Sequence, residues 1–257
     1  VKYARMFSEK RQREGMTYSE AYEKMFDRNY FGMMMVEAGD ADAFITGVYT
    51  KYDDAIKPAI EIVGMREGLN HIGGLNIVTS KLGTFFFADT MVNNHPSKET
   101  LIDIATLTHE TVKLFNTEPV MAMLSYSNFG ERPIGSPATV HEAVAHLHRN
   151  RPEILIDGEM QVNFALDKEL RHDKFPFSKI DGRNVNTLIF PNLSSSNIAY
   201  KLMLEIGMSE TIGPIQMGLR KPIHILDIES SVREILNMIT IAVVDAQVEE
   251  QKAKLNA

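Results

Sequence analysis

Cysteine and tryptophan are both absent from the 257 residues. Without cysteine there is no disulfide, no thiolate nucleophile and no Cys-held zinc or iron–sulfur centre. Long apolar runs are missing too. A stretch such as residues 239–244 falls far short of the ~20 residues that span a bilayer, so no membrane partner is expected. Positive charge is in deficit, 27 Lys and Arg against 34 Asp and Glu, and the net −7 argues against a nucleic-acid partner. Neither GxGxxG nor GxxxxGK(S/T) occurs, which removes the common phosphate-cradling fingerprints, and no GxSxG elbow marks a serine nucleophile. The opening residues VKYARMFSEKRQREG carry no apolar signal-peptide core, so a cytoplasmic location is expected.

What is present is an ordinary globular composition, 44% hydrophobic, long enough for one large domain or two modest ones. Strand-length apolar runs rich in β-branched and aromatic residues lie at 43–48, 75–79, 84–88, 120–126, 154–158, 185–190 and 212–217. Helical spacing fills the intervals, which predicts an α/β fold. Four residues, Ser80, Lys81, Leu82 and Gly83, separate two of the runs. That gap admits a hairpin but no crossover helix, so a mixed sheet is expected. Ser97 is placed to cap a helix over 97–115, and Ser136-Pro137 reads as cap and first turn of a helix over 136–150. A last helix over 230–251 offers an apolar face of Val232, Ile235, Leu236, Ile239, Val243 and Ala246, expected to pack on the sheet or on a partner.

Several motifs invite chemistry. Gly73-Gly74 precedes a strand and reads as a turn. In HEAVAHLH, His141 and His146 are roughly 140° apart on a helix and His141 and His148 roughly 10 Å apart along it, so one metal could hardly take a pair and none is expected. Ser125 and Ser127 in MLSYSNFG follow a strand, where open α/β sheets place ligands, or they cap the next loop. Asp157 and Glu159 in DGEMQ are either an acid/base pair or a hydrogen-bonded strand end, and the second is preferred. The segment 1–15 holds Lys2, Arg5, Lys10, Arg11 and Arg13 against Glu9 and Glu14, and faces either an anionic ligand or solvent. Met33, Met34 and Met35 suit adaptable packing.

Six strings taken together, FGMMMVEAGDADAFITG, FFFADTMVN, AMLSYSNFG, ILIDGEMQVNFAL, NTLIFPNLSSSNIAYKL and ETIGPIQMGLRKP, resemble the phosphate acetyl- and butyryltransferases. The resemblance runs from near residue 5 to near residue 250. It implies a dimer of chains with two α/β/α domains and an interdomain cleft, isocitrate/isopropylmalate dehydrogenase-like. One domain would be 1–67 plus 217–257, with 68–216 inserted as the other, and the family's opening βα units would precede Val1. The resemblance also implies ligand-binding positions at Arg11, Lys57, Ser125, Tyr126, Ser127, Asn197, Gly213 and Pro214.

The family's catalytic pattern is altered. Where a KPxNDLSRG-like stretch supplies Ser and Arg, KPIHILDIE places Asp227 and Ile228. Another family Arg falls on Glu205, a third on Lys57, and the carboxylate thought to deprotonate the CoA thiol is matched only by Glu234. Such a degenerate site, with EAGDADAFITGVYTKY, is similar to the C-terminal phosphotransacetylase-like domain of bacterial NADP-dependent malic enzymes. That likeness implies acetyl-CoA as an effector, a homo-dimer or higher oligomer, and a malic-enzyme domain of the same polypeptide holding NADP and a divalent metal. The other reading of the resemblance is an active phosphate acyltransferase.

Overall fold

The computed structural model describes residues 1–132, 134–206 and 209–255. The chain forms two compact units, residues 1–68 with 213–257, and residues 69–212. The family-based boundaries fall after 67 and 216.

The first unit opens with helices α1 (Lys2–Arg11), α2 (Tyr18–Lys24) and α3 (Arg28–Glu37), then strand β1 (Phe44–Thr46) and α4 (Tyr52–Ile62). Thr17 and Glu20 form a capping box on α2, and Asp27 caps α3 through the N–H groups of Asn29 and Tyr30. The basic surplus of segment 1–15 is partly offset by neighbouring carboxylates. Lys2 reaches Asp40 at 2.5 Å, Lys10 reaches Glu37 at 2.5 Å, and Arg11 pairs with Glu14. The chain returns to this unit for β8 (Ile223–Ile225), parallel to β1, and α10 (Val232–Leu255). Gly47 follows β1 at φ 116°, and a Cβ there would lie 2.0 Å from the Leu226 carbonyl oxygen, so only glycine lets the two strand ends pass.

The apolar face expected on α10 is divided. Met238 and Ala242 are the buried positions, because these are the ones turned toward β1 and β8. Val232, Leu236, Ile239 and Val243 form a stripe on the outside, with Val232 83% exposed. Ile235 and Ala246 are half-buried. A groove of about 650 Å³ runs beside this stripe, lined by Phe44, Ile45, Ile239 and Val243 among others.

The second unit is built on a sheet of order β5-β4-β6-β3-β2-β7. Its strands are β2 (Gly73–Ser80), β3 (Gly83–Ala88), β4 (Met121–Leu124), β5 (Ile156–Met160), β6 (Thr187–Ile189) and β7 (Ser209–Met217), the last running on past residue 212 into the first unit. The sheet is mixed: β2 and β3 form the antiparallel hairpin, closed at Ser80↔Gly83, while β3, β4, β5 and β6 run parallel. Gly73 and Gly74 lie inside β2, not in a turn. A side chain at Gly74 would meet Met91 Cβ at 2.5 Å, so the glycine serves close approach within the sheet.

The helices of this unit are α5 (Lys98–Leu114), α6 (Ser136–Asn150), α7 (Val162–Leu166), α8 (Lys168–Lys174) and α9 (Leu193–Glu205). Successive strand residues point to opposite faces. Phe86 accordingly packs on Phe115 at the end of α5, while Phe87 meets Phe190 at 5.2 Å in a cluster that reaches Ala165 of α7 and Ala199 of α9. Helices therefore cover both faces, and each large core side chain such as Leu188 or Phe87 contributes about 1.5–3 kcal/mol. Ser97 caps α5 in a box with Thr100. Gly135, not Ser136, is the cap residue of α6, so Ser136 stands at the first and Pro137 at the second helical position, and α6 has no side-chain cap bond.

Candidate functional site

The parallel strands set the site in the second unit, because their carboxyl ends lie on one edge of the sheet, where α/β proteins take ligands. Loops leave β3, β6 and β4 there and enter α5, α9 and α6. Between them is a cavity of about 200 Å³ lined by Asn94, His95, Pro96, Leu101, Ser136, Thr139, Pro191 and Asn192. Two of the three helix starts are closed by their own side chains, Ser97 on α5 and Asn192 on α9, whose Oδ1 accepts the Ser195 N–H at 2.9 Å. The start of α6 lacks such a cap and reaches the cavity through Ser136 and Thr139. Free N–H groups and the positive end of a helix dipole suit an anionic group. The volume fits one such group, since whole drug-sized ligands need about 300 Å³ or more.

Asp89 fixes the first of these loops. Its Oδ1 accepts the N–H groups of Gly74 at 2.7 Å and Met91 at 3.0 Å, and its Oδ2 accepts those of Val92 at 3.2 Å and Asn93 at 2.8 Å. The Asn93 side-chain amide donates to Oδ2 at 2.6 Å and to the Ile72 carbonyl at 2.9 Å. The FADTMVN string is thus a loop-holding device at the end of β3.

The loop after β4 carries Ser125, Tyr126 and Ser127. Ser125 is half-buried, Tyr126 is 68% exposed and Ser127 is buried, its hydroxyl without a hydrogen-bond partner among the described residues. Asp157 and Glu159 form a hydrogen-bonded strand end. Asp157 accepts from the Ser178 hydroxyl at 2.8 Å and the Lys179 N–H at 2.7 Å. Glu159 accepts the Gly130 N–H at 2.5 Å and lies 3.2 Å from His141 Nδ1. His148 Nε2 instead meets the Ile156 carbonyl at 2.8 Å, so His141 and His148 serve separate contacts on β5. Among the described residues no group of three or more His, Asp and Glu is placed to hold a metal.

Behind this edge, Arg171 is fully buried and its guanidinium donates to the carbonyls of Phe164, Ala165, Ile180 and Arg183. Burial pushes its pKa down, against the pull of Asp181 and Asp157. Asn197 and Glu205 are exposed on α9, with Glu205 at the helix end far along the chain from the Asn192 cap.

The remaining candidate residues belong to the first unit. Lys57 is exposed on α4, and Gly213 and Pro214 are buried in β7. Asp227 and Ile228 are exposed just after β8, where Asp227 Oδ1 accepts the Ile228 N–H at 3.1 Å. Glu234 is engaged in a reciprocal cap at the start of α10. Its Oε2 accepts the Ser231 N–H at 2.7 Å while its own N–H donates to Ser231 Oγ at 3.2 Å. Sequence reasoning missed Asn94, His95 and Asn192 as cavity residues. The available signal was their place in the loops that follow strands in FFFADTMVNNH and LIFPN.

Known proteins share this fold. The family model for phosphate acetyl/butaryl transferase matches residues 1–243. The NADP-dependent malic enzyme of Escherichia coli is 37% identical over 238 residues, 91% of this chain but only 31% of that protein. The phosphate acetyltransferase of Clostridium acetobutylicum is 36% identical over 252 residues, 95% of this chain and 75% of that one. The crystal structure of a phosphotransacetylase from Streptococcus pyogenes superposes with a TM-score of 0.88 at 32% identity, covering 97% of this chain and 75% of that one. This chain spans about a third of the malic enzymes it matches and between 35% and 77% of the phosphate acetyltransferases. With the match extending over nearly the whole sequence and the fold agreeing, the chain belongs to the phosphate acetyl/butaryl transferase family.

Proposed function

We propose that this chain is a non-catalytic acetyl-CoA-sensing and oligomerisation domain of an NADP-dependent, oxaloacetate-decarboxylating malic enzyme of the cytoplasm. Acetyl-CoA acts as effector, and NADP and a divalent metal serve a malic-enzyme part outside these residues. The carrying observation is the state of the 227–234 segment. A carboxylate and an aliphatic side chain stand at 227 and 228, and Glu234, the one residue aligned with a thiol-deprotonating role, holds a helix cap. Phosphoryl and acyl transfer need fixed donors aimed at the developing charge, and losing one such donor commonly costs about 3 kcal/mol or more. Asp227 repels the same charge. Binding requires less: an anion-accepting helix start in the second unit is compatible with recognition of a CoA phosphate without turnover. The likeness to the malic enzymes supports this reading.

The second reading, an active transferase moving an acyl group between CoA and phosphate, is favoured by the 36% identity to the Clostridium phosphate acetyltransferase. In it Arg11, Lys57 and Glu234 would suffice. A CoA-dependent assay of acetyl phosphate consumption separates the two. The sensing role predicts no turnover above blank together with saturable acetyl-CoA binding; turnover abolished by Glu234→Gln supports the transferase.

A further inference from the structure

At the amino edge of the sheet in the second unit, opposite the edge that carries the cavity, an imidazole is sealed in without a partner. His109 lies in the later turns of α5, is 5% exposed, and its Nδ1 has no hydrogen-bond partner among the described residues. Buried polar groups in folded proteins are nearly always paired, so an orphan of this kind calls for a reason beyond holding the fold.

The charges that face the ring come from three segments. Lys113 stands one turn further along α5, Glu118 lies in the loop that enters β4, and Arg151 and Glu153 lie in the loop between α6 and β5. They are tied to one another, Lys113 to Glu118 at 3.8 Å and Arg151 to Glu153 at 2.5 Å. From α6 itself, His148 is turned to the Ile156 carbonyl and Arg149 is exposed. Burial is the largest influence on the ring and holds its pKa below the ordinary value, while the two cations and the two carboxylates pull in opposite senses. A neutral ring therefore suits the closed site and a protonated one does not.

The segment beside the ring is short and bounded. Helix α5 ends at Leu114, and Asn116 turns the chain at φ 52°, a left-handed conformation that asparagine tolerates, with its N–H donating to the Lys113 carbonyl at 3.0 Å. Beyond it the Asn186 side chain pins the entry to β4, donating to the Glu118 carbonyl at 2.9 Å and accepting the Val120 N–H at 2.9 Å. An opening that starts at His109 is thus stopped near Glu118.

We infer that His109 is a proton-triggered release for the end of α5: the neutral ring stays sealed, and the protonated ring leaves for the carboxylates of Glu118 and Glu153, opening residues 109–118 while the sheet stays folded. The closed state binds this proton less readily than the open one. It is therefore complete above about pH 6.5, and below that the closed-to-open ratio falls by up to about tenfold per pH unit. No covalent step is involved, and the switch is independent of what the opposite edge of the sheet binds.

The test is amide hydrogen exchange on the protein as purified, read as protection factors at pH 8, 7, 6 and 5. Protection over 110–118 should be level from pH 8 to 7 and drop by about tenfold by pH 5, with β3 and β4 unchanged. His109→Gln should keep the neutral-pH protection at pH 5. Protection over 110–118 that stays within about twofold across the series overturns the inference. So does the same acid loss in His109→Gln, or a loss shared equally by β3 and β4, which is global unfolding. Should His109→Gln fail to fold, the ring resonances of His109 in the wild-type protein decide the matter: titration below about pH 6.5 together with the local loss of protection supports the switch, and titration at or above that pH overturns it.

Discussion

Replacing Asp89 with alanine tests whether the edge of the sheet in the second unit is built as described. The carboxylate accepts from four backbone N–H groups and one side-chain amide at 2.6–3.2 Å. Gly74 is buried, so its N–H is left without an acceptor and costs about 1–3 kcal/mol. The donors of Met91, Val92 and Asn93 are half-buried and partly recover water, so about 0.5–1 kcal/mol each is the fair figure. Together the substitution should destabilise by about 3–5 kcal/mol, a large fraction of the about 5–15 kcal/mol that holds a typical domain. At a urea slope of about 2 kcal/mol/M, the midpoint falls by about 2 M with little change in slope. Because the freed loop leads directly to Asn94, His95 and Pro96, the cavity lining should loosen as well, visible as faster amide exchange over 91–96. A midpoint shift below about 0.3 M would refute the account of this loop.

Other expectations follow from single contacts. Glu234→Ala removes half of the α10 cap and should cost about 1 kcal/mol in urea melts, with unchanged acetyl-CoA affinity. Burial holds the His109 pKa below its ordinary value, so the folded state binds that proton less readily than the unfolded chain. Its contribution is complete above about pH 6.5 and is lost as pH falls below that, so His109→Gln should flatten the acid-side decline in urea midpoint. His172 is raised by its bond to Asp181, the opposite sense, so the support it gives is present at acid pH and fades as pH rises through its folded pKa. A His172→Gln variant should differ from wild type in urea melts at pH 5.5 and converge with it at pH 8.5. Leu236→Glu, on the outward stripe of α10, should change monomer stability by no more than about 0.5 kcal/mol, and a larger loss would mean that the stripe is covered.

Patterns with strong local chemistry were legible in the sequence. The Ser80–Gly83 gap identified the hairpin, and Ser97 identified the start of α5, because caps and short connections act within a few residues. Strand β8 escaped notice because three residues, Ile223, His224 and Ile225, give too short a pattern, and its pairing with β1 comes from far along the chain. Gly73-Gly74 looked like a turn because the demand for close approach comes from Met91, a tertiary contact. The α10 face was assigned by periodicity alone, which finds a stripe but not which stripe meets the sheet. For the site, DGEMQ was readable as a strand end, whereas the contact of Glu159 with Gly130 in the loop after β4 depends on β4 and β5 lying side by side.

The central claim, that this chain binds acetyl-CoA without turning it over, is tested most directly by titrating acetyl-CoA into the protein in phosphate buffer in a calorimeter. The account predicts saturable heats with the baseline recovering after each injection. Absence of saturable heat, or a sustained displacement of the baseline signalling continuous conversion to acetyl phosphate and CoA, would contradict it.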